Sequence, residues 1–246
     1  NHSYGVLDVT DALMVSSNIF FCEMIRDWNM NDLVKYLEDF GIGKKTGIDI
    51  PGEMPGRIPS PENKKILAQT TSPWLEEIWY PEGDSCNSVI GQGITLVTPI
   101  QMSNWIAAIA NGGTLYTPHV AKKFVDENGF EYEIDFEPIR EGIVSQESLD
   151  LVKKGMWKVV NGPRGIAKSL SSTGTTVAAK TGTAEFGKLN SKGEYEDTHA
   201  WVTGFFPYQN PKYSFSLLLE DGGSSSNAVA AIKQLITWMV ANGFVE

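Results

Sequence analysis

The final third of the chain alternates strand-like segments with turns and then ends in a helix that has one apolar face. β-Branched and aromatic residues are concentrated in residues 177–184, 199–206 and 213–220, with turn residues between these segments. Apolar residues follow at helical spacing within 227–241, namely Val229, Ile232, Leu235, Ile236, Met239 and Val240. Such a helix face needs an apolar surface to cover, and the three preceding strands supply one. We therefore predict an antiparallel sheet packed by this helix.

The preceding part of the chain is mainly helical by the same criteria. Asn31 is suited to cap the helix at 32–40, and Thr98-Pro99 is suited to begin the helix that ends at Asn111. Residues 51–61 and 74–88 are expected to be irregular. Helices are predicted over 8–14, 19–28, 32–40, 99–110 and 145–160, and a β-hairpin over 120–136. The order of helices, strands and closing helix indicates an α+β fold.

Charge excludes some classes of partner. The 246 residues carry a net charge of −10 and have a pI near 4.9, which argues against nucleic acid and against a polybasic lipid anchor. No apolar stretch approaches the roughly 18 residues that span a bilayer. A membrane anchor is therefore expected only before Asn1.

The two cysteines suggest neither a disulfide framework nor a metal site. Cys22 lies in an apolar stretch and is predicted to be a small buried core residue. With Cys86 and three scattered histidines it matches no zinc spacing. We predict no metal and no cofactor, and the cysteines do not indicate a compartment.

The chain contains Lys-Thr-Gly twice, in two different settings. Lys45-Thr46-Gly47 follows a helix stop and is predicted to be a solvated turn. Lys180-Thr181-Gly182-Thr183 lies in a predicted strand, which a glycine weakens unless something must approach the backbone closely. A peptide added along the strand edge would be such a ligand. Lys180 would attract its carboxylate while Thr181 and Thr183 donate hydrogen bonds; the alternative is a surface lysine on an ordinary hairpin.

A Ser-x-Asn triplet, Ser16-Ser17-Asn18, lies between two predicted helices. Alone it is weak, because either serine could simply cap the second helix. Together with Lys180-Thr181-Gly182 it supplies two of the three motifs of a serine acyl-transfer site. The third motif, Ser-x-x-Lys, occurs nowhere in the 246 residues.

These two motifs and several shorter segments give the chain a family resemblance. It resembles the transpeptidase domain of class B penicillin-binding proteins, and most closely their elongation-type branch, the penicillin-binding proteins 2. The further segments that carry the resemblance are residues 46–53, 83–84, 90–93, 97–102, 109–113, 199–205 and 220–223.

The resemblance implies a penicillin-binding protein/β-lactamase-like fold, with a five-stranded antiparallel sheet, a helical subdomain and an active site between them. It implies D,D-transpeptidation of peptidoglycan stem peptides that end in D-Ala-D-Ala, and acylation by β-lactams. It also implies a location at the cell membrane with the catalytic domain outside the cytoplasm. The expected partner is a glycosyltransferase of the elongation machinery, and no nucleic acid.

The resemblance also assigns roles to the motif residues. Ser16 and Lys180 would belong to the proton-transfer network around the nucleophilic serine. Asn18 would bind the substrate amide, Thr181, Gly182 and Thr183 would line the substrate, and the Thr183 N–H would form half of the oxyanion hole. Removal of one such donor typically costs about 2.7–4 kcal/mol of transition-state stabilisation.

Two departures from the family pattern and several alternatives remain. Ala179 stands where the family usually has glycine, so its methyl group is expected to crowd the cleft. The absence of Ser-x-x-Lys predicts that residues 1–246 are the carboxy-terminal majority of a single domain and are inactive alone.

The alternative functions are a D,D-carboxypeptidase, a β-lactamase or a β-lactam sensor on the same fold, or a non-catalytic module that binds peptidoglycan or a morphogenetic partner.

Overall fold

The structure, a computed structural model, describes residues 4–191 and 195–245, and it confirms the α+β class. The helices are α1 (Val9–Val15), α2 (Asn18–Ile25), α3 (Met30–Asp39), α4 (Pro61–Gln69), α5 (Cys86–Val89), α6 (Pro99–Ala110), α7 (Gln146–Asn161) and α8 (Ser225–Ala241). The strands are β1 (Leu115–Tyr116), β2 (Lys123–Val125), β3 (Glu131–Glu133), β4 (Pro138–Arg140), β5 (Ala178–Leu189), β6 (Tyr195–Phe206) and β7 (Tyr213–Leu219).

The main sheet is antiparallel with the order β5-β6-β7. Lys180 of β5 lies opposite Thr203 of β6, and β5 forms one edge of the sheet. The five-stranded sheet that the resemblance implies is not found within the described residues, where the main sheet has three strands. The other described strands form two small pairs, β1 with β4 and β2 with β3.

Helices cover both faces of the main sheet because its strands alternate between two apolar sides. On one face, Val177, Ala179, Ala200 and Val202 are buried against α8, which contributes Val229, Ile232 and Ile236. The opposite face packs Ala178 and Phe205 against Ile106, Ala110 and Met156 of α6 and α7. The predicted apolar stripe of α8 is wrong at Leu235, whose side chain is 49% exposed because it lies on the solvent side of the helix.

A close helix contact fixes α1 on α7. A Cβ added to Gly155 of α7 would lie only 2.4 Å from Leu13 Cδ1, so the two helices approach as closely as a glycine permits. The Lys158 ammonium donates to Thr10 Oγ1 at 2.6 Å and pairs with the Asp11 carboxylate at 2.7 Å. Because α7 also packs on the sheet, the carboxyl end of α1 has a defined position relative to β5.

The prediction for the cysteines is wrong, because Cys22 of α2 is half-buried and forms a disulfide with Cys86 of α5. The partners are 64 residues apart in sequence, and no local pattern brings them together. The 74–88 segment is also more ordered than predicted, since Pro81–Ser85 forms a π-helical turn that leads into α5. The buried Lys64 of α4 holds this turn through an ion pair with Asp84 at 2.7 Å.

Helix caps account for most of the predicted boundaries. Thr98 and Gln101 form a reciprocal capping box at the start of α6, as Thr98-Pro99 predicts. Ser145 caps α7 through the Ser148 N–H. The cap of α3 is Asn29 and not Asn31, because the Asn29 side chain accepts the Asn31 N–H. Helix α4 was not predicted.

Two features are absent from the described residues. None of the helices within 4–191 and 195–245 has both the length and the apolar character that a membrane span requires. The same residues contain no group of three His, Cys, Asp or Glu side chains arranged to hold a metal ion.

Candidate active site

The Ser-x-Asn triplet forms the sharp turn between α1 and α2. Ser16 ends α1 in the left-handed region, with φ of 52° and ψ of 53°, a conformation that residues other than glycine rarely adopt. Ser17 caps α2, since its Oγ accepts the Phe20 N–H at 3.4 Å. Asn18 is the first residue of α2 and is exposed. The capping alternative therefore applies to Ser17, and it leaves the Ser16 hydroxyl available for another partner.

That partner is Lys180, the third residue of strand β5. The Lys180 ammonium donates to Ser16 Oγ at 2.7 Å and to the Thr181 carbonyl at 2.8 Å. The two side chains are 164 residues apart in sequence, so this contact depends on the packing of α1 on α7 and of α7 on the sheet. The structure thus brings together the two motifs that the sequence analysis paired.

Burial lowers the pKa of the Lys180 ammonium from 10.5 to about 8. Removal of water from around a cation favours its neutral form, and no carboxylate among the causes of the shift offsets that effect. An amine with a pKa near 8 can both release and accept a proton close to neutral pH. Its contact with a hydroxyl makes it suited to pass that proton to or from an oxygen.

The remaining residues of the strand motif differ in their accessibility. Thr181 is buried, whereas Thr183 is exposed. The Thr183 carbonyl accepts a hydrogen bond from the Gln92 carboxamide at 3.0 Å, and the Thr181 carbonyl accepts from Lys180. Carbonyls two residues apart point to the same strand edge. Both therefore belong to the edge of β5 that, among the described strands, no other strand covers.

Gln92 is a site residue that the sequence analysis did not identify. Residues 90–93 contribute to the family resemblance, but their spacing gave no chemical role to the glutamine. The position of Gln92 depends on the loop that follows α5, where its N–H donates to the Asn87 carbonyl at 2.8 Å. The hydrogen bond to Thr183 joins residues 91 positions apart, which no local pattern could have shown.

The first Lys-Thr-Gly, residues 45–47, lies in an irregular segment that follows a turn and is not part of a strand. Lys45 is exposed, and the Thr46 N–H and hydroxyl both donate to the Glu53 carboxylate. The Gly47 N–H donates to the same carboxylate at 3.1 Å. This copy is therefore an irregular segment held by one acidic side chain.

The expectation for Ala179 is wrong. Its side chain is fully buried in the core beneath α8, so its methyl group packs away from the Ser16–Lys180 pair and does not crowd the cleft. His199 lies on β6 opposite Ala184 and stacks on Phe186 with ring centroids 3.9 Å apart. The imidazole therefore packs as an aromatic side chain of the strand.

The fold and the site together define a class of protein. A Ser-x-Asn turn that meets a Lys-Thr-Gly strand in an α+β domain is the arrangement of these two motifs that is found in penicillin-binding proteins and class A β-lactamases. Residues 1–237 match the family model described as the penicillin binding protein transpeptidase domain, and the chain belongs to this family.

Individual relatives agree with this assignment. The peptidoglycan D,D-transpeptidase MrdA of Salmonella typhimurium strain LT2 is 31% identical over 95% of the chain. The penicillin-binding protein PBP2 of Helicobacter pylori, solved in complex with MreC, superposes with a TM-score of 0.77 at 26% identity over 98% of the chain. PBP2 of Pseudomonas aeruginosa, in complex with WCK 5153, gives a TM-score of 0.76 at 27% identity over 98% of the chain.

The chain is much shorter than these proteins. It spans 38% of the Salmonella relative, 41% of the Helicobacter chain and 52% of the Pseudomonas chain. The similarity therefore concerns one part of each relative.

Proposed function

We propose that residues 1–246 are the carboxy-terminal majority of the single transpeptidase domain of an elongation-type peptidoglycan D,D-transpeptidase. The observation that carries the proposal is the 2.7 Å hydrogen bond between Lys180 Nζ and Ser16 Oγ, which joins two motifs of an acyl-transfer site. Membership of the penicillin-binding protein transpeptidase family supports it. Relatives named peptidoglycan D,D-transpeptidase support it further.

The reaction has two acyl-transfer steps. A serine hydroxyl, supplied by a Ser-x-x-Lys motif upstream of Asn1, attacks the carbonyl of the penultimate D-alanine of a stem peptide. An ester forms, the terminal amide bond breaks, and D-alanine leaves with the proton that the serine gave up. An amine of a second stem peptide then attacks the ester, forms the cross-linking amide and restores the serine hydroxyl.

Ser16 and Lys180 serve these steps as proton carriers. The depressed pKa of Lys180, about 8, lets the amine exchange a proton near neutral pH. The Ser16 hydroxyl both donates and accepts, so it can relay that proton between Lys180 and the departing or attacking nitrogen. The left-handed backbone of Ser16 directs its hydroxyl at Lys180, and such sparsely populated conformations are concentrated at functional sites.

The free edge of β5 binds the peptide as an added strand. The Thr183 N–H donates to the carbonyl oxygen that becomes negative, and the exposed Thr183 hydroxyl donates to the terminal carboxylate. Lys180 adds positive charge near that carboxylate. Gly182 has no side chain to obstruct the peptide, and Asn18 at the exposed start of α2 hydrogen-bonds the substrate amide.

Location and partners follow from the same proposal. The disulfide between Cys22 and Cys86 supports a location outside the cytoplasm, because disulfides persist in oxidising compartments. The protein is held at the membrane by an anchor that precedes Asn1. A β-lactam acylates the same serine, and a glycosyltransferase of the elongation machinery supplies the glycan strands.

One assay with the full-length gene product separates the alternatives. The product is mixed with a D-Ala-D-Ala stem peptide, an acceptor amine and, separately, penicillin. A cross-linked peptide with release of D-alanine supports the transpeptidase, whereas release without cross-linking indicates a carboxypeptidase. Rapid turnover of penicillin indicates a β-lactamase, and a stable adduct without peptide chemistry indicates a sensor. No adduct at all, or no Ser-x-x-Lys codons upstream of Asn1, contradicts the proposal in favour of a non-catalytic module.

A further inference from the structure

The side chain of Gln92 hydrogen-bonds a backbone carbonyl at the free edge of β5. Its carboxamide nitrogen donates to the Thr183 carbonyl at 3.0 Å, and Gln92 is only partly buried. Thr183 is itself exposed, so a ligand can approach this part of the edge. The amide N–H of a peptide added to this edge would donate to that oxygen as the next strand of a sheet does.

Several contacts fix the loop that carries Gln92. Its N–H donates to Asn87 in α5, and α5 is joined to α2 through the disulfide. Arg57 holds the far side of the loop, with its side chain donating to the Ile94 carbonyl at 2.7 Å and its backbone paired with Leu96. The carboxamide therefore reaches Thr183 from an anchored backbone, and its side-chain torsions are the part that can change.

We infer that Gln92 is a specificity-determining residue that occupies the Thr183 carbonyl until a ligand with a suitably placed amide N–H displaces it. The inference rests on the proposed function and adds to it a competition between Gln92 and the ligand amide for one backbone acceptor, which lowers the preference for amide-bearing ligands. A ligand that supplies an amide donor replaces the hydrogen bond that it breaks at Thr183. A ligand without such a donor leaves the Gln92–Thr183 bond in place and makes no hydrogen bond to the Thr183 carbonyl.

The need to displace Gln92 opposes the binding of ligands that use the Thr183 carbonyl. Displacement of Gln92 breaks one neutral hydrogen bond and returns the carboxamide to water. Removal of the Gln92 donor should therefore speed the capture of amide-bearing ligands by about two- to tenfold, the range that one net hydrogen bond represents. Ligands without the amide should react at an unchanged rate.

The test compares two β-lactams on the full-length protein. Benzylpenicillin carries a side-chain amide N–H, whereas sulbactam has the fused ring system without a side chain. The second-order rate constant of acylation is measured for the wild type, Gln92→Met and Gln69→Ala. Methionine keeps the length of the side chain and removes the donor. Gln69 is the control because its exposed carboxamide bonds only to Glu77 among its described contacts, away from β5.

The expected result is faster acylation of Gln92→Met by benzylpenicillin only, with both rates unchanged in Gln69→Ala. The sulbactam rate and the melting temperature report on folding, since a misfolded variant would lose both. An unchanged or slower benzylpenicillin rate in a folded Gln92→Met protein overturns the inference, and so does an equal increase for both compounds. Failure of the wild type to react with either compound would instead contradict the proposed function.

Discussion

At the scale of single residues, two glycines of the main sheet are present for different reasons. A Cβ added to Gly204 of β6 would lie 2.3 Å from the Ala178 carbonyl and 2.8 Å from Phe215 Cζ, so the fold itself requires glycine there. A Cβ added to Gly182 would meet only Trp201 Cβ, at the ordinary contact distance of 3.4 Å. Internal packing does not require glycine at position 182. The proposed ligand along the strand edge does require it, because a side chain there would obstruct the ligand.

The two glycines make a matched pair of variants. Gly182→Ala should change the free energy of unfolding by less than about 0.5 kcal/mol, as substitutions without a clash usually do. It should nevertheless slow acylation by penicillin, because the methyl group obstructs the added strand. Gly204→Ala should destabilise the protein by about 1–3 kcal/mol through overpacking. Urea unfolding and acylation rates provide the measurements, and normal acylation of a stable Gly182→Ala protein would contradict the role given to Gly182.

Lys180 should leave a signature in the pH dependence of stability. Its pKa is about 8 in the folded protein and near 10.5 when unfolded, so between these values the unfolded state binds more protons. Stability due to this group therefore rises with pH from about 8 to 10.5, and below pH 8 its burial opposes folding. The free energy of unfolding of the wild type should rise relative to Lys180→Met across this window. A pH-independent difference between the two proteins would show that the lysine is not desolvated.

At the scale of elements, the site depends on how three segments are held against β5. Helix α1 carries Ser16 and is fixed on α7 where Leu13 packs on Gly155. Helix α2 carries Asn18 and is joined to α5 by the Cys22–Cys86 disulfide. The loop after α5 brings Gln92 to the strand edge. The disulfide therefore connects two of the segments that surround the reacting groups.

Loss of the disulfide should destabilise the protein. The cross-link closes a loop of 64 residues, for which the chain-entropy relation gives about 4 kcal/mol of stabilisation. The free energy of unfolding in urea should fall by a few kcal/mol in a Cys22→Ser/Cys86→Ser protein, and equally when the wild type is reduced. Reductant should have no effect on the double variant. Equal stability of oxidised and reduced wild type would contradict this account.

At the scale of the whole molecule, local patterns predicted the elements and not the contacts between them. Strands β5 to β7 were predictable because their residues alternate between two faces, and α6 because Thr98 and Pro99 form a standard start. Helix α4 was missed because it is polar along most of its length and its buried cation, Lys64, looks like a surface lysine. The cysteine pair and the Gln92–Thr183 bond were missed because they join residues 64 and 91 positions apart.

The candidate site shows the same division. Ser16, Asn18 and residues 180–183 could be selected from the sequence because two short motifs of one chemistry occur at a suitable separation. The left-handed turn at Ser16 and the burial that depresses the pKa of Lys180 could not be predicted, since both result from the packing of α1 and α7. The side to which Ala179 points also depended on the register of β5 with β6.

The central claim is that Lys180, and not the other Lys-Thr-Gly lysine, belongs to a penicillin-reactive site. The most direct measurement is labelling of the full-length protein by fluorescent penicillin in three forms: wild type, Lys180→Met and Lys45→Met. Lys45 is the matched control because it is the exposed lysine of the same tripeptide in an irregular segment. The account predicts one labelled band for the wild type and for Lys45→Met, and none for a folded Lys180→Met protein. Equal labelling of all three forms would contradict it.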